Sequence, residues 1–264
     1  MHQGPATRLL VLGGSQGAAQ LNRLLPRALE LVEARCGELG QILVRHQTGE
    51  RHLEAAGEAY SASGIEPVMR GLGFRPDGAQ VQVELSSFLN NVSGAMAESH
   101  LVVSRAGAIT LAEICAAGRP ALLAPLTLAA GHQVQNAERL AAAGAAAVFL
   151  ESADAAEEVQ VESLAATLLA LLEDRRRLNR MAESARALGR PRAAADIADR
   201  LEHCSGARPR SPHAASLYAP AVAATQLGGM LARTPLGARG APRSAVTPSP
   251  SSSGYTALKP GGVA

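Results

Sequence analysis

The 264 residues are enough for one large domain or two small ones; 47% of them are hydrophobic but only 2% aromatic, with no Trp. Alanine and leucine must therefore build the core, which favours helices packed closely on a sheet over an aromatic-rich β-sandwich. With 25 basic and 23 acidic residues the formal net charge is +2, so the composition sets aside a nucleic-acid binder. Lys259 is the only lysine, a bias of composition rather than of mechanism. Cys36, Cys115 and Cys204 are far apart and form no CxxC pair, which points to a reducing compartment and to neither a disulfide framework nor a zinc site. The longest apolar runs, such as residues 140–150, fall short of the roughly 18 residues a membrane span needs. The first five residues run almost directly into a strand and leave no room for a signal peptide, so a soluble protein is expected.

In chain order, residues 9–12 form a buried strand, followed by a glycine turn and a helix to about residue 35. A second strand at 41–45 precedes a helix over 50–60. Residues 71–78 are turn-rich. A third strand at 81–85 is followed by a short helix from 88 to 97, and a fourth at 101–104 by a helix over 109–117. A fifth at 121–124 leads to a helix over 132–142, and a sixth occupies 146–150. Helices fill 159–173, 175–187 and 192–203. Short apolar strands alternating with helices predict an α/β fold, a Rossmann-like parallel sheet with helices on both faces. Composition changes near residue 205. The domain is therefore placed at 1–204, and the Pro-, Ser-, Ala- and Gly-rich tail at 205–264 is expected to be disordered, apart from a short helix near 221–232.

In an open parallel sheet, ligands bind beyond the carboxyl ends of the strands. Gly13-Gly14-Ser15-Gln16-Gly17 follows the first strand, where glycines let the backbone approach a ligand and the next helix offers free N–H groups to a phosphate. Neither GxGxxG nor a P-loop is present. The segment also fits a plain glycine turn, and it matches the GxSxG elbow of α/β-hydrolases, with Ser15 as nucleophile. Ser104-Arg105-Ala106-Gly107-Ala108-Ile109 has the same strand–turn–helix form and suits an anion. Glu113, four residues beyond Ile109 on the same helical face, could hold a ribose diol or simply favour the helix dipole. His132, Gln133 and Asn136 share a helical face and could meet sugar hydroxyls or only water. His46-Gln47-Thr48-Gly49 reads as a turn that caps the next helix. There is no DxD motif and hence no candidate metal ligand, and no residue stands out as a catalytic base.

Together and in this order, these segments resemble the MurG family, the undecaprenyldiphospho-muramoylpentapeptide β-N-acetylglucosaminyltransferases that make lipid II from lipid I and UDP-GlcNAc. The resemblance covers about residues 8–203. It rests on Val11-Leu12-Gly13-Gly14-Ser15-Gln16-Gly17-Ala18 with Leu21-Asn22, on His46-Gln47-Thr48-Gly49, and on Ser104-Arg105-Ala106-Gly107-Ala108 with Thr110 and Glu113. Ala116-Ala117-Gly118-Arg119-Pro120-Ala121, His132-Gln133 with Asn136-Ala137, Met181-Ala182, and Ala187-Leu188-Gly189-Arg190-Pro191 complete the set.

The resemblance implies one half of a GT-B fold, the C-terminal domain that binds the donor, with UDP-GlcNAc as substrate and no cofactor. Ser15, with Gly14 and Gly17 shaping its loop, would meet the diphosphate beside the Ala108 and Ile109 amides. Leu89 would lie against the uracil, Glu113 would hold the ribose, and His132, Gln133 and Asn136 would surround the GlcNAc. Arg105 would be structural or face the diphosphate. His46 and His132 would serve donor binding rather than act as bases. Transfer would be inverting and metal-independent, and would need a separate N-terminal acceptor-binding domain or subunit for the lipid-linked acceptor. A non-catalytic nucleotide-sugar module or a subunit of a two-chain GlcNAc transferase is the alternative. The implied location is cytoplasmic or stromal, peripheral at the inner face of a membrane. The chain departs from the family pattern at Phe88-Leu89-Asn90-Asn91-Val92, where two carboxylates are replaced, and at Ala129-Ala130-Gly131 before the His-Gln pair.

Overall fold

A computed structural model describes residues 6–14, 16–35, 39–69, 74, 79–127, 131–152 and 154–205. Ser15, Cys36, most of 71–78, Ala129, Ala130 and the tail beyond Ser205, with its expected helix at 221–232, lie outside the described residues.

Seven strands run parallel: β1 (Thr7–Leu12), β2 (Ile42–Gln47), β3 (Val68–Met69), β4 (Val81–Ser86), β5 (Leu101–Ser104), β6 (Ala121–Leu123) and β7 (Ala146–Val148). Their order in the sheet is β3-β4-β2-β1-β5-β6-β7. Eight helices complete the described fold: α1 (Ala19–Arg35), α2 (Leu53–Ala62), α3 (Val92–Glu98), α4 (Ala108–Ala117), α5 (His132–Ala142), α6 (Glu157–Glu173), α7 (Arg175–Leu188) and α8 (Ala193–Cys204). The apolar strands bury both of their faces, as a parallel sheet requires. Leu9, Val11, Val44, Val83 and Val103 pack with α1 and α6 through Leu21, Leu25, Leu164 and Leu168. Leu10, Leu12, Val102 and Leu123 pack on the other face with Met96, Leu111, Ile114 and Ala137 from α3, α4 and α5. Both clusters are built from Leu, Val and Ala, as the composition implies.

The element boundaries differ from expectation for local reasons. β3 is only two residues long at the sheet edge, too short to leave an apolar pattern in the sequence. The helix expected from residue 88 begins at Val92, because Asn91 caps it: the Asn91 side-chain oxygen accepts from the Gly94 N–H at 2.8 Å. The helix expected over 50–60 opens as a 3-10 turn, Glu50–His52, and becomes α-helical at Leu53. β7 stops at Val148, and Leu150 is exposed. Cys115 is buried and Cys204 exposed, and neither is in a disulfide. No described helix is long and apolar enough to cross a membrane.

Two of the small-residue motifs serve packing. Gly118 closes α4 in the left-handed conformation, with φ 60°. Gly189, at the end of α7, lies so close to the Cys115 carbonyl that a Cβ would collide with it. A methyl group there has backbone to displace, not a flexible side chain. Gly189→Ala is therefore expected to cost about 1–3 kcal/mol, read as a lower melting temperature in thermal unfolding. Gly144→Ala, where the nearest atom to a new Cβ is Ser184 Oγ at 3.3 Å, should cost only the left-handed backbone penalty of about 1–2 kcal/mol.

Candidate functional site

The sheet order reverses beside β1. The chain leaves β1 toward β2, β4 and β3, then returns to place β5 on the other side of β1 and continues outward to β6 and β7. Such a switch point opens a crevice at the carboxyl ends of the two strands that flank it. Register pairing puts Leu12 beside Ser104 across this divide, and Leu12 beside Gln47 on the other side. The loop that carries Gly13, Gly14 and Gly17 and the loop Arg105–Gly107 therefore leave adjacent strands in the same direction, and each opens a helix.

The β2 flank rests on a buried polar network. His46 is fully buried at the end of β2; its Nδ1 lies 3.0 Å from the Tyr60 hydroxyl and its Nε2 3.0 Å from Asn22 Oδ1. Asn22 Nδ2 donates to the Thr48 carbonyl at 2.9 Å, so its oxygen must face the imidazole. That fixes the imidazole proton on Nε2, leaving Nδ1 to accept from Tyr60. The network holds Thr48 and Gly49 against the glycine loop. Gly49 (φ 82°) approaches so closely that an added Cβ would sit 2.7 Å from Gly17 Cα, while a Cβ on Gly17 (φ 75°) would strike His52 and the Thr48 carbonyl. Backbone thus touches backbone, and only glycine fits on both sides.

The β5 flank is braced differently. Arg105 Nη1 donates to the Ala124 carbonyl at 2.9 Å and pairs with Glu151 at 2.7 Å, joining the ends of β5 and β6 to the segment after β7. Asn136 Nδ2 donates to the Ala106 carbonyl at 3.2 Å, and Gln133 Oε1 accepts from the Leu126 N–H at 3.1 Å. Start of α5, end of β6 and loop 105–107 therefore form one interlocked corner.

The expected site residues fall around this crevice as follows. Gly14 and Gly17 lie in the loop after β1; Ser15 lies outside the described residues. Ala108 and Ile109 open α4 and are exposed, and Glu113 projects to solvent from the helix they begin, while Leu111 and Ile114 turn into the core. His132 is exposed at the first residue of α5, which Gly131 introduces with φ 69°. The Leu89 side chain is buried with Leu10, Leu12 and Met96, so only its backbone could face a ligand. Gln133, Asn136 and Arg105 each hold a neighbouring loop. The structure corrects the reading of His46 as a donor-binding residue: it lies beneath the loops, with both ring nitrogens engaged. Among the described residues no cluster of His, Cys, Asp or Glu is arranged to hold a metal ion.

The sequence profile of the glycosyltransferase family 28 C-terminal domain matches residues 8–201. The chain belongs to this family. It is 43% identical over 192 residues to the UDP-N-acetylglucosamine–N-acetylmuramyl-(pentapeptide) pyrophosphoryl-undecaprenol N-acetylglucosamine transferase of Alkalilimnicola ehrlichii, covering 72% of this chain and 47% of that protein. Its match to the enzyme of the same name from Halorhodospira halophila is 43% over 197 residues, covering 74% and 47%. Acinetobacter baumannii MurG superposes with a TM-score of 0.59 and 30% identity, covering 75% of this chain and 50% of that one. The chain thus spans about half the length of the curated relatives it matches. The GT-B half inferred from its motifs agrees with this superposition.

Neither Tyr60 nor Glu151 of the family 28 domain is marked out by its sequence surroundings. Tyr60 reads as a helical core aromatic, and nothing around Glu151 marks it as the partner of an arginine 46 positions earlier. Asn22 did leave a signal, a lone amide on the apolar face of α1 among Leu21, Leu24 and Leu25.

Burial pushes His46 down from 6.5 to about 3 and raises the Tyr60 hydroxyl. Native His46 therefore stays neutral where the unfolded chain takes up a proton, and stability falls as pH drops below 6.5 toward 3. The family 28 domain is expected to lose roughly 1.5–2 kcal/mol from this group between pH 6.5 and pH 5. His46→Gln should flatten that slope in urea unfolding at the two pH values, whatever it costs at pH 7.

Proposed function

We propose that the chain is the donor-binding half of a UDP-GlcNAc-dependent N-acetylglucosaminyltransferase. In this reading residues 1–204 are the binding domain, 205–264 an appended tail, and a separate N-terminal domain or subunit brings the lipid-linked acceptor, lipid I, for conversion to lipid II. The observation that carries the proposal is the pair of helix-opening loops leaving β1 and β5 side by side at the switch point, in a domain whose relatives bear that transferase name.

The chemistry follows from position and charge. The leaving UDP carries its charge on the diphosphate, and the α4 amides of Ala108 and Ile109 with the Ser15 hydroxyl would neutralise it in place of a metal. Gly14 and Gly17 let the loop approach, and Arg105, its charge balanced by Glu151, would hold the loop in position beside the diphosphate. Glu113 would accept from both ribose hydroxyls. The Leu89 backbone would read the uracil edge. His132, Gln133 and Asn136 would meet the GlcNAc hydroxyls; Asn136 can do so while donating to Ala106, because its carboxamide has a second N–H and an acceptor oxygen. Attack by the acceptor hydroxyl opposite the departing UDP would invert the anomeric carbon, with the deprotonating base supplied by the acceptor-binding part. Such a domain would work at the cytoplasmic side of a membrane, touching it peripherally through its partner.

Calorimetry tests the reading. UDP-GlcNAc should bind with one site per chain, and Glu113→Ala should weaken it about tenfold to a hundredfold, the loss of charge-assisted hydrogen bonds. No binding to folded wild-type protein would sink the proposal. A fluorophosphonate probe should leave Ser15 unlabelled; labelling would instead favour the hydrolase elbow.

A further inference from the structure

At the opposite edge of the sheet, by the amino ends of β1, β5 and β6, the chain encloses a hollow of about 180 Å³ against α7. Its polar lining is cationic or neutral: His100, Arg119, Arg175, Thr7 and Asn179, with Pro120 among its apolar walls. We propose that this hollow is a binding site for a phosphate group.

Four observations favour an anion there. The Arg8 N–H donates to His100 Nδ1 at 2.9 Å, which puts the imidazole proton on Nε2 as a donor. Burial and the charges of Arg175, Arg8 and Arg119 together lower the pKa of His100, which marks the local potential as positive. Arg119 gives its Nη2 to the Ala97 carbonyl while its Nε is buried without an acceptor, so the guanidinium at the wall of the hollow is incompletely satisfied. Arg175 Nη2 donates to Thr7 Oγ at 3.3 Å, which orients its guanidinium. Among the described residues no carboxylate lines the hollow. The nearest in sequence, Asp174, caps α7 by accepting from the Arg177 N–H at 2.7 Å. Guanidinium and imidazole donors around a small concavity suit a phosphate group, whether the monoester of a soluble metabolite or the diester of a lipid headgroup. This site is separate from the crevice and does not depend on what the crevice binds.

The test follows the His100 imidazole signal by NMR in the full chain, with inorganic phosphate titrated against sodium chloride at matched ionic strength. Both titrations are run with and without saturating UDP, so that phosphate entering the crevice cannot mimic the effect. Phosphate should move the signal saturably and raise the His100 pKa, and chloride should not. Arg119→Gln combined with Arg175→Gln should weaken the response at least about tenfold. An equal effect of chloride, or no saturation, would overturn the site without recourse to a variant. An unchanged response in the folded double variant would overturn it too. Flotation with phosphatidylglycerol and phosphatidylcholine vesicles then separates the sources. Capture by phosphatidylglycerol alone, reversed by phosphate, assigns the site to a headgroup; a phosphate response without capture assigns it to a soluble phosphate.

Discussion

Parallel pairing of β1 with β5 governs the functional edge. Register alignment carries one row across the sheet, through Ser86, Gln47, Leu12, Ser104 and Leu123, and every loop beyond that row starts from the same level. Because β2 lies on one side of β1 and β5 on the other, the loop after β1 is pulled one way and the loop after β5 the other. The opening between them is a result of topology, and the side chains only furnish it.

The furnishing differs between the two sides. On the β2 flank a neutral imidazole, an amide and a phenol satisfy one another in complete burial. Such a network is stable only when every member is paired, and it then locks a single arrangement. On the β5 flank an arginine–glutamate pair and two carboxamide contacts do the bracing. Glu151 is almost wholly buried and Arg105 largely so, and removing either would strand a charge. Both devices act on backbone: Asn22 on the carbonyl of Thr48, Arg105 on that of Ala124, Asn136 on that of Ala106. The loops at the crevice are thus held by their own carbonyls.

Much of this was legible in the sequence. The strands β1, β2, β4, β5, β6 and β7 announce themselves as short apolar runs, and the helices between them by length and by their polar starts. The glycines of the first loop could be read as a tight approach of the backbone, and Gly14 and Gly17 do take a positive φ. What could not be read is long-range pairing. The Arg105–Glu151 contact spans 46 positions, and His46 looks like a strand-end ligand until Asn22 and Tyr60 are seen to enclose it. A histidine at the end of a strand is ambiguous from spacing alone, since one residue of register decides whether it points into the core or the crevice. The residues expected at the crevice are ambiguous for a related reason. Exposure of Glu113 and His132 fits a ligand contact and equally an ordinary helix start, so their roles rest on the ensemble of motifs rather than on any one residue.

The closeness of Gly17 to Gly49 has a further consequence. Two chain segments from different strands meet there with no side chain between them, so any side chain added at Gly17 or Gly49 would have to push the two apart. The loop across from it is fastened outward, to β6 and to the segment after β7. The two sides of the edge are therefore tied in opposite directions, one to β2 by backbone against backbone and the other to β6 and the segment after β7 by side chains.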